Sequence, residues 1–382
     1  MLIEPLSANW MASRHVSIRI VNQEQFIKCY QMHPTNISDY SVHVGVFRAY
    51  VSPVVAMCGV FGNFFIILVF SREAPRTRFS IYAISLAVSN GITLITNTLF
   101  DDFLGRGLHY ATNHQTFYKL DATSEFGCKF VEYLSNVMFF TTSYIIIVFS
   151  LDRLFTIRRP ILCSSIRHKR WAVCACLLVF VMGFLSNIPL IFVQTLMVDM
   201  DSRTNFTCRM IEDHPVAKFT VTFEVICTYT IPFCLVLVLN ALIGFRLWQL
   251  KHERKHLFPN DYKNDRMEMG RVTGHLALTT AFLLLYMPVV CMVLIRLNVT
   301  LIRLDRHSPH ALRIIDLSRL FSSVKDIAYA VNFPLYLIFL RNFRHRFMLM
   351  FCPCRRSRRP NMSNQRNPRE LTNPVPITYR AE

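Results

Sequence analysis

The stretch IIIVFSLDRLFTIRRP, residues 145–160, places an acid and a base side by side at the end of an apolar run. From Tyr144 to Leu151 there is no charge; Asp152 and Arg153 follow, and Arg158, Arg159 and Pro160 close the stretch. Burying an ionised pair at the mouth of a hydrophobic segment costs several kcal/mol unless the pair is satisfied or kept for a function. Either Asp152 and Arg153 are flanking charges at a membrane interface, or they belong to a working site. The rest of the chain decides.

With 382 residues, 52% of them hydrophobic and 17% charged, and a mean hydropathy of +0.32, the chain is too apolar for an ordinary soluble domain and too long for one span. Its formal net charge of +18 would suit nucleic acid. The Lys and Arg residues, however, alternate with apolar blocks of helical length instead of forming one basic face, so nucleic acid is not expected as a partner. No stretch before Val46 has the layout of a cleaved signal peptide, so the first apolar segment is expected to act as its own insertion signal.

A hydrocarbon core about 30 Å thick takes about 20 mostly apolar residues per helix. Seven segments meet that length: 49–70, 80–100, 128–151, 171–196, 220–245, 274–297 and 314–340. The seventh is interrupted by Arg319, Lys325 and Asp326. The expected fold is an all-α membrane protein, a seven-transmembrane helix bundle. Around it lie an N-terminal tail (1–45), the bundle (46–340), a short amphipathic eighth helix (341–354) and a basic tail (355–382).

Lys and Arg accumulate after segments one, three, five and seven and are sparser in the alternate loops. That bias puts the N-terminus outside and the C-terminus inside. The glycosylation sequons at Asn36, Asn205 and Asn298 fall on the predicted outer side, and a fourth at Asn361 falls inside.

Of twelve cysteines, most lie within apolar segments, where a free Cys is a small hydrophobe. Cys128 opens segment three on the predicted outer side, and Cys208 sits in the outer loop after segment four, where an oxidising compartment permits a disulfide. Cys352 and Cys354, in FMLMFCPCRRSRR, follow an amphipathic basic stretch, a setting for S-palmitoylation. As metal ligands this pair lacks companions. No P-loop, nucleophile elbow or HExxH motif occurs, so neither enzyme activity nor a cofactor is expected.

Seven spans, an outer cysteine opening the third and an Asp-Arg closing it resemble a rhodopsin-like (class A) G protein-coupled receptor. The resemblance runs over residues 46–354. Cys128 lies 25 residues before Arg153, and Pro160 seven after it. Gly62-Asn63, Leu86-Ala87, Pro232, Pro288, Asn332 and Tyr336 match the family's helix motifs. The resemblance implies that Arg153 engages a heterotrimeric G protein, that Asp152 restrains it at rest, and that Glu268 can close an ionic lock onto it. It also implies a swing of helix six about Pro288 on agonist binding.

The chain departs from that pattern in places. The third-helix motif reads Asp-Arg-Leu, Asn90 stands where the family carries a sodium-binding Asp, and Tyr286 in LLLYMP replaces the usual Trp. Phe180 stands where helix four usually has Trp, and the helix-seven motif reads NFPLY.

Asp101, Asp102, Glu224, Lys325 and Asp326 are ionisable groups at or near membrane depth and are candidates for ligand binding. Ser135 stands where amine receptors carry an acid, so an amine ligand is not expected. An acidic cluster suits a basic or amidated peptide, and SNIPLIF at 186–192 together with Asn240 resembles invertebrate neuropeptide receptors for FMRFamide-like peptides. The expectation is a plasma-membrane receptor for a neuropeptide, surrounded by lipid and coupled to a G protein. The rivals are a chemosensory receptor for a small molecule and a transporter; internal repeats would mark the transporter, and none is found.

Overall fold

The computed structural model describes residues 39–73, 77–113, 115–116, 118–158, 167–198, 206–211, 214–257, 262–301 and 309–351. Asn36, Asn205, Cys352 and Cys354 lie outside these residues, as do the side chains of Glu268 and Asn298.

Among the described residues six helices are each long and apolar enough to cross a membrane: α1 (Tyr40–Ser71), α2 (Arg78–Ala111), α3 (Glu125–Arg158), α4 (Lys169–Val193), α5 (Pro215–Leu250) and α6, whose apolar part is Met269–Leu297. A bent pair, α7 (Leu312–Phe339) and α8 (Arg341–Phe351), supplies the seventh span and a helix turned 96° from it. The protein is a seven-helix bundle. Large apolar side chains on α1, α4 and α5, such as Val54, Phe61, Leu177, Leu178, Leu237 and Phe245, point outward. In water they would be a liability; against lipid they are the expected surface.

α3 is the most enclosed helix, with Val137, Ile145 and Phe149 fully buried. Around it packs an aromatic core that includes Phe79, Tyr82, Phe282, Tyr286, Tyr329 and Tyr336. Small residues set the closest helix approaches. A Cβ on Gly62 would come within 2.8 Å of Phe333 on α7, and one on Gly107 within 2.2 Å of the Arg48 carbonyl oxygen on α1.

Most of the helices are longer than the corresponding apolar segments. α1 begins inside the predicted tail, and α2 runs on to Ala111 through a π-helical stretch, Leu94–Gly107. Wide turns also occur at Phe47–Val51 and Glu224–Thr230. The three contain Arg48, Asp101, Asp102 and Glu224, so these charged groups lie where the helix pitch changes and side chains are re-aimed.

Two differences from expectation have physical causes. The fourth span, read to Leu196, ends at Val193; Gln194–Val198 is instead a strand, β1, paired antiparallel with β2 (Phe206–Met210). Thr195 to Val198 is apolar enough to extend a hydropathy window, but its backbone bonds are made across the hairpin. The seventh span is not one continuous helix. It pauses at Asp326 and again at Val331, with Asp326 N–H donating to Ser323 and Tyr329 N–H to Asp326 in tight three-residue steps. Pro334, lacking an N–H, frees one further carbonyl in the next turn. α8 leaves through Leu340 in extended conformation and is pinned by Phe343 and Phe347 against Phe333 on α7 and Phe65 on α1.

Candidate functional site

Polar side chains gather at the two ends of the bundle. At the end marked by the hairpin, Cys128 and Cys208 form a disulfide with Cα atoms 5.4 Å apart. Leu196 pairs with Cys208 in the hairpin, so the bridge straps β1 and β2 to the start of α3.

Beneath that strap, the acids singled out in the sequence are mostly neutralised by the protein itself. Asp101 pairs with Arg106 at 3.0 Å. Asp102 pairs with Arg48 of α1 at 3.0 Å, and Arg48 Nε also donates to Ser323 Oγ at 3.1 Å. Lys325 Nζ lies 2.9 Å from Asp326 Oδ1, while Asp326 Oδ2 accepts from Asn97 and Thr98, each at 2.8 Å. Lys325 also sits 4.0 Å from the Phe139 ring centroid, a cation over an aromatic face. α1, α2 and α7 are thus tied together by charges that cancel in pairs and by hydrogen bonds to them, and the Phe139 ring joins α3 to the group.

Glu132 on α3 and Glu224 on α5 differ. Glu132 is exposed and Glu224 half-buried, and neither carboxylate has an ion-pair partner among the described residues. Glu224 edges a cleft with Asn136, Asn187, Leu190, Phe219 and Thr220, between α3, α4 and α5. Sequence reading had named Glu224 but not Glu132 or Arg48. Arg48 lies one residue outside the apolar block of segment one, and Glu132 stands between Val131 and Tyr133 inside segment three, where nothing in the adjacent sequence marks it. Ser135 is buried and donates to Thr96 Oγ1.

Between the ends, buried hydroxyls and amides link the helices. Thr142 donates to Asn90 Oδ1 at 3.2 Å and shares a hydrogen bond with Ser89 at 2.7 Å. Asn63 Nδ2 donates to the carbonyls of Gly59 and Tyr329. The Tyr286 and Tyr329 hydroxyls bond each other, and the Tyr286 ring stacks on Phe282 with centroids 3.9 Å apart. Asn240 joins α5 to α6 through Thr279 and Thr280.

At the opposite end Arg153 is buried, and Asp152 stands between two guanidinium groups. Arg153 Nη2 takes one carboxylate oxygen, and Arg78 Nη1 takes the other at 2.7 Å. Arg78 also donates to Thr156 Oγ1. The Arg153 guanidinium carbon lies 5.6 Å from the ring centroids of both Phe79 and Phe149. His275 of α6, itself bonded to Ser150, lies tilted against Phe149 with ring centroids 4.3 Å apart. Asn332 and Tyr336 are buried nearby, Tyr336 against Phe70, Phe79 and Phe343. The arrangement keeps a permanent cation at the mouth of the bundle, capped by one carboxylate and walled by aromatic rings. Among the described residues no three His, Cys, Asp or Glu side chains converge as metal ligands.

The bundle, the Cys128–Cys208 strap and the Asp152–Arg153 pair are features of one class of membrane protein, the receptors with seven transmembrane helices. The family model for 7 transmembrane receptor (rhodopsin family) matches residues 62–326, and the chain belongs to that family. Relatives include leukotriene B4 receptor 1 of Rattus norvegicus, 25% identical over 285 residues, covering 72% of this chain and 74% of that one. Type-1 angiotensin II receptor A of Xenopus laevis is 27% identical over 216 residues, 55% and 56% of the two chains. Cephalotocin receptor 1 of Octopus vulgaris is 25% identical over 225 residues, 58% and 52%. The chain spans about half the length of most of these curated relatives. Membership of the family implies a ligand-binding, G protein-coupled receptor and not an enzyme.

Proposed function

We propose that this chain is a plasma-membrane receptor for a basic or amidated neuropeptide, with its N-terminus and hairpin outside and Arg153 on the cytoplasmic side. The charge bias of the loops supports that orientation. Ligand binding beneath the hairpin shifts a pre-existing equilibrium toward a form in which α6 swings out about Pro288 and Arg153 turns from Asp152 to the G protein α subunit. Asn332, Tyr336 and Tyr286 carry the change between the two ends, and in the same reading Glu268 closes an ionic lock onto Arg153 at rest. Glycosylation at Asn36, Asn205 and Asn298 and palmitoylation at Cys352 and Cys354 belong to the same reading.

One observation favours a cationic ligand. Asp101, Asp102 and Asp326 are already paired with Arg106, Arg48 and Lys325, which leaves Glu132 and Glu224 as carboxylates without a close ion pair among the described residues. A desolvated guanidinium or ammonium group on a peptide would complete them. Asp101, Asp102, Lys325 and Asp326, the other ligand candidates, then shape and brace the pocket. The names of the relatives divide among leukotriene B4, angiotensin II and cephalotocin. The second reading is therefore a small-molecule receptor, for which the departures at Asn90 and Tyr286 also speak.

The test is G protein activation in cells displaying the chain, challenged with amidated peptides with and without basic residues. Basic peptides are expected to act, and Glu132→Gln with Glu224→Gln to weaken them about tenfold or more. A response to uncharged or acidic small molecules, unchanged in that double variant, would overturn the peptide reading.

A further inference from the structure

We infer that Glu73, just past the end of α1, is a positioning residue that latches α6 shut across the Arg153 end of the bundle. Its carboxylate is buried, with 8% of the side chain exposed, and meets Arg271 of α6 at 3.5 Å and Arg346 of α8 at 3.6 Å. It also accepts from Ser80 and, at 3.4 Å, from Thr77, whose own oxygen caps the first turn of α2. Glu73 is therefore fixed to α1 and α2, while its cationic partners come from two other elements.

The backbone around Arg271 fits the same contact. A Cβ on Gly274 would lie 3.3 Å from Leu340 Cδ2 and 3.4 Å from Phe339 Cβ, and one on Gly270 3.7 Å from the Phe339 carbonyl oxygen. Two glycines on one face let α6 lie directly on the corner between α7 and α8, and Arg271 reaches from that face to Glu73.

The two arginines are not equivalent. α8 is held to α1 by Phe347 and Phe351, whose rings lie 5.4 and 5.8 Å from Phe65, so Arg346 stays beside Glu73 whatever α6 does. When α6 moves out, Arg271 leaves and Arg346 remains. The buried carboxylate is never left without a cation, which is the costly state a switch must avoid. Arg271 stabilises the closed form alone, and Arg346 lowers the cost of opening.

Opposite signs follow. Arg271→Gln and Glu73→Gln should release α6, whereas Arg346→Gln should hold it more tightly, because opening would then strand Glu73. The experiment is hydrogen–deuterium exchange of the full chain in lipid nanodiscs, read over residues 268–276. Uptake is expected to rise several-fold in Arg271→Gln and Glu73→Gln and to fall below the parent in Arg346→Gln. Arg271→Gln leaves the α2 cap untouched, so it remains informative if Glu73→Gln folds poorly. Arg346→Gln raising uptake as Arg271→Gln does, or Arg271→Gln leaving it unchanged, would overturn the latch.

The consequence for coupling rests on the receptor reading above, and basal nucleotide exchange by purified G protein heterotrimers separates the two. Turnover in the same order as uptake supports both. The uptake order with no turnover in any chain keeps the latch and sinks the coupling.

Discussion

Lys325 and Asp326, neighbours in sequence and both without solvent exposure, are each other's counter-ion, with Nζ 2.9 Å from Oδ1. Asn97 and Thr98 complete Asp326, and Phe139 faces the ammonium. Removing one member strands the other, at a cost of about 3–5 kcal/mol; replacing both by apolar residues of similar size avoids that cost. Lys325→Met alone and Asp326→Leu alone should each lower the unfolding temperature in detergent sharply, and the double variant should recover most of the loss. A double variant no better than the worse single would contradict the pairing.

Gly107 marks the tightest approach of α2 to α1. A Cβ there would lie 2.2 Å from the Arg48 carbonyl oxygen and 2.9 Å from the Ala49 nitrogen, so backbone rather than a side chain would have to move. Gly107→Ala should destabilise the bundle by about 2 kcal/mol or more and pull Arg48 away from Asp102. Thermal unfolding beside Arg48→Met reads both effects; a Gly107→Ala protein as stable as the parent would refute the close contact.

The Cys128–Cys208 bridge closes a loop 80 residues apart in sequence. Constraining a loop of that size stabilises by about 4 kcal/mol in the chain-entropy account. Cys128→Ser and Cys208→Ser should therefore lower surface delivery and thermal stability equally, and the double variant should be no worse than either. Flow cytometry of surface-labelled cells checks this, and a clear inequality between the singles would exclude a shared bond.

The first six spans could be read directly because each carries an unbroken apolar run of membrane length. α7 was harder to read, since Arg319, Lys325 and Asp326 look like interruptions until Lys325 and Asp326 are seen to cancel each other. Arg48 has no such local contrast: it sits one residue before the apolar block of segment one, and its partners Asp102 and Ser323 lie on other helices. The β1–β2 hairpin was absorbed into span four because hydropathy cannot distinguish an apolar strand from the last turn of an apolar helix. At the site, Asp152 and Arg153 stood out from local contrast alone. The parts that depend on distant partners did not: Arg78 sharing Asp152, Glu73 gathering Arg271 and Arg346, and Glu132 remaining without a cation.

Under the proposed function, Arg153 is the group through which this receptor engages a G protein. The most direct measurement is nucleotide exchange on purified heterotrimers driven by membranes bearing the parent chain or Arg153→Ala, matched for receptor density. Among the described residues Arg153 ion-pairs with its neighbour Asp152, a carboxylate that Arg78 also holds, so the variant is expected to reach the surface at near-parental levels. Exchange is expected with the parent, and a loss of about tenfold or more with the variant. Equal exchange from both would contradict it.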